Sequence, residues 1–120
     1  MRYTVGMRAA TIADGRILIA DRPDPIPGPG QLLVRVGAAG LNGADMMQLR
    51  GLYPPPPGVP ADIPGLELAG EVVALGSGAT RYRPGDRVMS LVGGGAQAEL
   101  AVVDESAAMP VPAALDWPAA

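Results

Sequence analysis

The chain has 120 residues, of which 48% are hydrophobic and 18% charged, and this balance is typical of one folded domain and not of a disordered segment. The net charge is −3 and all nine basic residues are scattered arginines, so nothing indicates a surface for nucleic acid or for an anionic membrane. Cysteine and histidine are absent, which excludes a disulfide framework, a thiol nucleophile and an imidazole base, and argues against zinc, whose preferred ligands are sulfur and imidazole.

A β-hairpin is predicted near the start of the chain. Two apolar runs, Met7–Ala13 and residues 16–21, flank the dipeptide Asp14-Gly15. This dipeptide suits a type I′ turn, because both central residues of such a turn need positive φ. Residues 23–30 are rich in proline and glycine and predict a stiff, turn-rich connection.

A half-buried strand and one short helix are predicted next. Residues 32–39 alternate Leu and Val with Leu, Arg and Gly, which is the period of a strand with one buried face. Asn42 is a candidate helix N-cap, Asp45 follows near the positive end of the helix dipole, and Gly51 is a natural stop. The two methionines after Asp45 are expected to fill the core beneath this helix.

The second half of the chain is predicted to add three strands. Residues 52–65 are rich in proline and cannot form a helix or a sheet, because proline lacks the N–H that both require. Residues 67–75, 87–92 and 97–103 are apolar runs that predict strands, and Gly93-Gly94-Gly95 separates the last two. Together these elements predict an antiparallel, barrel-like β domain with one small helix.

The last residues have the pattern of a helix that is just beginning. Asp116 is a good N-cap, Pro118 suits a first turn, and Ala119-Ala120 favour helix. A single helical turn cannot hold together by itself. The chain therefore ends in a frayed tail or belongs to a longer protein, and we expect the longer protein.

Five segments of the chain form a recognisable series: AGLNGAD at 39–45, GLYPPPPG at 51–58, GLELAGEV at 65–72, PGDRVM at 84–89 and GGGAQAE at 93–99. In their order and spacing they resemble the zinc-independent quinone oxidoreductases of the medium-chain dehydrogenase/reductase superfamily. The tyrosine–proline stretch and the glycine-rich turn are most similar to the p53-inducible subgroup.

This resemblance implies a GroES-like, partly open β-barrel with one or two short helices over residues 1–120. In the family a Rossmann domain follows the barrel, binds NADPH and completes the active-site cleft, and we expect that domain to be absent from this chain. Zinc-dependent relatives have a histidine directly before the residue that corresponds to Glu67. This chain has Leu66 there, so no zinc is expected. Relatives also commonly have an arginine where this chain has Gly43, and the contact of that arginine is not expected here.

Tyr53 is the candidate catalytic residue and a candidate substrate-binding residue. Hydride transfer to a quinone or a conjugated carbonyl places negative charge on an oxygen atom, and a hydroxyl that donates to this oxygen stabilises the charge. In the family a tyrosine at this position faces the substrate pocket. The alternative is a loop tyrosine that packs against its own prolines.

Asn42 and Asp45 are the other candidate site residues. The resemblance implies that Asn42 binds both the substrate and the nicotinamide cofactor, and that Asp45 orients Asn42 or the substrate. Helix capping alone would also explain both residues.

Two further features have a structural interpretation. Glu67 and Glu71 are spaced to share one face of a strand, with Glu71 expected in solvent and Glu67 as a buried remnant of the zinc architecture. The run Gly93-Gly94-Gly95 lacks the spacing and the following helix of a phosphate-binding loop, and is interpreted as a barrel turn.

The predicted function is hydride transfer from NADPH to a quinone or conjugated carbonyl once a Rossmann domain completes the cleft, with this chain alone inactive. One alternative is a non-catalytic GroES-like module that binds a partner through a bare apolar face. Another is the enoyl-reductase domain of a polyketide synthase. The expected partners are a small-molecule quinone or enone and the Rossmann domain, with neither nucleic acid nor membrane, and a homodimer of the full-length protein is left open. No apolar run is long enough to cross a bilayer, so a cytoplasmic location is predicted.

Overall fold

The computed structural model describes residues 6–120. In this part of the chain seven strands and one helix follow in the order β1 (Met7–Ala13), β2 (Arg16–Arg22), β3 (Gln31–Ala39), α1 (Gly43–Leu49), β4 (Glu67–Leu75), β5 (Arg87–Leu91), β6 (Leu100–Asp104) and β7 (Met109–Pro110). β1 and β2 form a two-stranded sheet, and the other strands form a five-stranded sheet in the order β6-β3-β4-β5-β7. All of the pairings are antiparallel. Neither sheet closes on itself, which confirms the prediction of a mainly β, partly open barrel.

The first hairpin has the geometry predicted for it. Asp14 and Gly15 have φ of 51° and 70°, the two positive values that a type I′ turn requires. The turn sets the register of the strands, with Ala13 opposite Arg16 and Met7 opposite Arg22. A two-residue turn thus fixes which face of β1 packs on the rest of the domain.

The core lies on one face of the five-stranded sheet. Alternate residues of β3, β4, β5 and β6 point to this face, because successive side chains of a strand point to opposite sides. The largest fully buried side chains are Leu32, Val34, Pro64, Val72, Val88 and Val103. Two register shifts in β3, between Leu33 and Val34 and between Val36 and Ala38, break its pairing with β4, as β-bulges do where a sheet curves into a barrel.

The strand predicted over residues 97–103 begins later than expected, at Leu100. Residues 97–99 lie against the first hairpin, where the Glu99 N–H donates to the Arg8 carbonyl at 3.0 Å. The Arg8 N–H donates back to the Glu99 carboxylate at 2.6 Å, and this bond lowers the pKa of the Glu99 side chain. These bonds join the two sheets, and sequence periodicity cannot distinguish them from a continuous strand.

The short helix α1 buries a different face from the one predicted. Met46 and Met47 are 52% and 42% exposed, whereas Asp45 and Gln48 are buried, so the prediction that the methionines fill the core is wrong. The inward side of the helix faces main-chain groups of the proline-rich segment, and these groups need polar partners. The Gln48 amide, for example, donates to the Ala61 carbonyl at 3.3 Å.

The C-terminal segment, Leu115 to Ala120, forms a turn where the sequence predicts the first turn of a helix, and no helix is present there. The Asp116 carboxylate accepts a hydrogen bond from the Ala119 N–H at 3.0 Å, which is the contact of an N-cap. Over the described residues, no helix is both long and apolar enough to span a membrane.

Candidate functional site

Asp45 connects three parts of the chain through its buried carboxylate. Its Oδ2 accepts hydrogen bonds from the Asn42 N–H at 2.9 Å and from the Gln97 side-chain amide at 3.1 Å. Its Oδ1 accepts one from the Gly65 N–H at 3.2 Å. The carboxylate therefore holds together the start of α1, the end of the proline-rich segment and the approach to β6. Both oxygens of Asp45 already accept hydrogen bonds from other residues of the chain, and substrate binding by Asp45 stays a prediction.

Asn42 is the N-cap residue of α1, with extended φ and ψ of −130° and 157°. Its side-chain Nδ2 is buried and has no hydrogen-bond partner among residues 6–120. A buried donor without an acceptor costs about 1–3 kcal/mol, so such atoms are rare unless a ligand or water satisfies them. Helix capping explains the position of this residue but not the unpaired atom.

Tyr53 is half-buried at the start of the proline-rich segment. Its hydroxyl donates to the Gly93 carbonyl at 3.3 Å, which is longer than the usual 2.7–2.8 Å for a hydroxyl donor. The ring thus bridges from its own loop to the glycine run. A hydroxyl hydrogen bond of this length is weaker than average.

The proline-rich segment packs directly on the main chain of Gly93-Gly94-Gly95. A Cβ on Gly93 would overlap the ring of Pro56, and one on Gly94 would lie 3.1 Å from the Val59 side chain. Gly95 has a φ of 87° and would place its Cβ 3.0 Å from Pro60. Glycine is needed here so that another segment can pack on the main chain, which agrees with a structural turn and not with a phosphate cradle.

The structure brings Asn42 and Asp45 together at the start of α1, where the Asn42 N–H donates to the Asp45 carboxylate. In the described part of the chain no hydrogen bond joins Tyr53 to either residue. The two groups are connected only indirectly, because Gly93 and Gln97, their respective partners, both belong to the link between β5 and β6.

A separate cavity of about 340 Å³ lies on the outer face of the five-stranded sheet. Its lining includes Ala39, Glu67, Met89, Leu91, Trp117 and Pro118. None of the three predicted site residues lines this outer-face cavity. Its aromatic wall, Trp117, had no signal in the sequence, because the contact with the sheet joins residues far apart in the chain.

Glu67 and Glu71 share the outer face of β4, but only part of the prediction about them holds. Glu67 is exposed and lines the outer-face cavity, so the prediction that it is buried is wrong. Its carboxylate lies against the main chain of Gly40, in the space that a Cβ there would occupy. Glu71 is half-buried and pairs with Arg35, whose Nη1 is 3.2 Å from its Oε2.

Over residues 6–120 no three or more acidic side chains come together in a group that could hold a metal ion. Leu66 is half-buried next to Glu67. The absence of zinc stays a prediction from the sequence, and it belongs with the proposals below.

Comparison with known proteins gives the same fold and a family. Residues 28–113 match the family model of the alcohol dehydrogenase GroES-like domain. The chain is 41% identical over 104 residues to the synaptic vesicle membrane protein VAT-1 homolog of Rattus norvegicus, a match that covers 85% of this chain and 26% of the relative. It is 45% identical over 92 residues to a quinone oxidoreductase of Pseudomonas aeruginosa, covering 76% of this chain and 28% of that enzyme.

A solved structure is similar over nearly the whole chain. The human synaptic vesicle membrane protein VAT-1 homolog-like protein superposes with a TM-score of 0.84 at 33% identity, covering 92% of this chain and 37% of the other. The chain spans about a quarter of the length of the curated relatives that it matches. The matched residues are those that build the five-stranded sheet, α1 and the proline-rich segment. This chain belongs to the alcohol dehydrogenase GroES-like domain family of the medium-chain dehydrogenase/reductase superfamily.

Proposed function

We propose that this chain is the substrate-side domain of a zinc-independent oxidoreductase. In this proposal the enzyme transfers a hydride from NADPH to a quinone or conjugated carbonyl when a Rossmann domain completes the cleft. The family membership supports an oxidoreductase, and the quinone oxidoreductase among the relatives supports the substrate class. Leu66 supports independence from zinc, because an aliphatic side chain cannot ligate a metal.

The observation that carries the proposal is the unpaired Nδ2 of Asn42. A nicotinamide cofactor has carbonyl and hydroxyl oxygens that accept hydrogen bonds, so this donor fits such a group. NADPH would supply the hydride, and most of its binding surface would belong to the Rossmann domain. The contribution of Asn42 is to hold the reactive end of the cofactor at the barrel.

Tyr53 is proposed to donate to the oxygen that becomes negatively charged. The oxygen of a reduced carbonyl is a stronger acceptor than the neutral Gly93 carbonyl, which the hydroxyl contacts at 3.3 Å. The hydroxyl is already held at the glycine run by its bond to the Gly93 carbonyl, so little reorganisation accompanies the exchange of partners. Asp45 keeps the segment and the helix in place and acts as a positioning residue.

The proposal is tested by joining residues 1–120 to the C-terminal part of the Pseudomonas aeruginosa quinone oxidoreductase. The folded fusion should oxidise NADPH when benzoquinone is added. A parallel assay with an enoyl thioester separates the quinone reductase from the enoyl-reductase alternative. A folded fusion that reduces neither substrate would contradict the proposal.

In that fusion, replacing Tyr53 with phenylalanine should lower kcat about 100-fold or more, because one donor to the developing oxyanion is lost. The dissociation constant for NADPH should stay unchanged, as measured by quenching of the fusion's fluorescence. Tyr82→Phe is the matched control, since the Tyr82 hydroxyl donates to the Ala108 carbonyl at 2.8 Å and lies outside the proposed site. Equal losses in the two variants would remove Tyr53 from the mechanism.

The isolated 120-residue chain should show no binding of NADPH in isothermal titration at about micromolar protein, a concentration at which micromolar affinities register. The reason is that, in this proposal, most of the surface that binds NADPH belongs to the Rossmann domain, and Asn42 alone adds one hydrogen-bond donor. Tight binding would overturn the proposal that the Rossmann domain provides most of the NADPH-binding surface. Stable self-association of the chain, together with an inactive fusion, would favour the non-catalytic module.

A further inference from the structure

The sole tryptophan of the chain holds the C-terminal segment on the outer face of the sheet. The Trp117 indole lies directly on the main chain of Gly37 in β3, in space that any larger residue would fill. The guanidinium of Arg87, from β5, lies 4.4 Å from the centre of the indole ring. The same guanidinium donates through Nη2 to the Leu115 carbonyl at 2.6 Å. Arg87 therefore contacts the segment at two points, one polar and one aromatic.

Arg87 is available for this role because its neighbour in the sheet has another partner. Glu71 lies opposite Arg87 in the pairing of β4 with β5, and opposite Arg35 in the pairing of β3 with β4. Its carboxylate bonds to Arg35. With Glu71 engaged on that side, the half-buried Arg87 extends toward the C-terminal segment.

We propose that Arg87 fixes the C-terminal segment against the sheet and so forms one wall of the outer-face cavity. Trp117 and Pro118 provide this wall, opposite the floor of Ala39, Met89 and Leu91. A planar guanidinium can stack on an indole and donate to a carbonyl at the same time, and a lysine ammonium does this less well. Without the contacts of Arg87, Trp117 and Pro118 move away from the sheet, and the cavity becomes an open sheet surface.

The fluorescence of Trp117 reports this contact without a label. In Arg87→Gln the emission maximum should shift to longer wavelength, and the acrylamide quenching constant should rise about twofold or more as the indole enters water. Arg87→Lys should give an intermediate value. Arg81→Gln is the control. Arg81 is exposed, so this substitution removes the same charge without removing a contact to the indole. A quenching constant in Arg87→Gln equal to that of the control would overturn the proposal.

A measurement on the unaltered chain covers the case in which Arg87→Gln fails to fold, as judged by circular dichroism. An indole face shields protons that lie over it, so the δ-methylene protons of Arg87 should resonate upfield of those of the other arginines. This upfield shift should vanish in Trp117→Leu. Ordinary arginine shifts for Arg87 in the unaltered chain would show that the ring and the guanidinium do not associate in solution.

Discussion

Replacing Asp45 with alanine is expected to lower the free energy of unfolding of the chain by about 4 kcal/mol. The substitution leaves three donors without their acceptor: the Asn42 N–H, the Gly65 N–H and the Gln97 side-chain amide. Each unsatisfied buried donor costs about 1–3 kcal/mol, less whatever entering water restores. Urea denaturation followed by circular dichroism measures the difference.

Two further variants make this result specific to the three hydrogen bonds. Asp45→Asn keeps one acceptor oxygen and replaces the other with a donor, so its loss should be about half that of alanine. Asp21→Ala removes an exposed carboxylate that makes no side-chain bond within residues 6–120, and should change the unfolding free energy by less than about 0.5 kcal/mol. A loss below about 1 kcal/mol in Asp45→Ala would show that the carboxylate does not hold the three segments together.

Replacing Gly93 with alanine is expected to cost about 2 kcal/mol of stability and to move the proline-rich segment. The backbone of Gly93 has no positive φ, so the cost comes from the new methyl group and not from the conformation. The added Cβ would overlap the Pro56 ring, which is stiff and cannot turn aside. The segment must lift, and Tyr53 loses its bond to the Gly93 carbonyl.

The measurement for Gly93→Ala is denaturation of the isolated chain together with kcat in the fusion protein. Both should fall, since the same displacement loosens the loop and moves Tyr53. Gly43→Ala is the matched control, because in the part of the chain that the structure describes no other segment lies within 4 Å of its new Cβ. Alanine in a helix also stabilises by up to about 1 kcal/mol relative to glycine. If Gly93→Ala were as stable as the unaltered chain, the proline-rich segment would not be closely packed on the glycine run.

Local chemistry allowed most strands to be predicted. The type I′ hairpin follows from a two-residue turn signal, and β4 follows from a mostly apolar run of nine residues that only Glu67 and Glu71 interrupt with charge. The strand β7 is not predicted, because it has two residues, one of them a proline, and within residues 6–120 it pairs with β5 alone. A pairing that short has no periodicity to detect.

The packing of α1 and of the site could not be predicted, because it depends on partners distant in the chain. Apolar periodicity assigns Met46 and Met47 to the interior, but the surface beneath the helix is main chain that needs hydrogen bonds, so Asp45 and Gln48 are buried instead. Likewise, Asn42 is recognisable as a cap from its neighbours, whereas its unpaired Nδ2 is visible only in three dimensions.

The proline-rich segment is fixed at both ends and in the middle. The Leu52 N–H donates to Met47 at 2.8 Å, Gly65 bonds to Asp45, and the glycine run supports the centre. Anyone who transplants this loop into a related barrel to alter its substrate range would therefore have to transfer residues 52–65 and 93–97 as a matched pair. If residues 52–65 were moved alone, the loop would lack the glycine surface on which it packs. Larger side chains at the positions of Gly93–Gly95 in the related barrel would then force the loop into a different conformation.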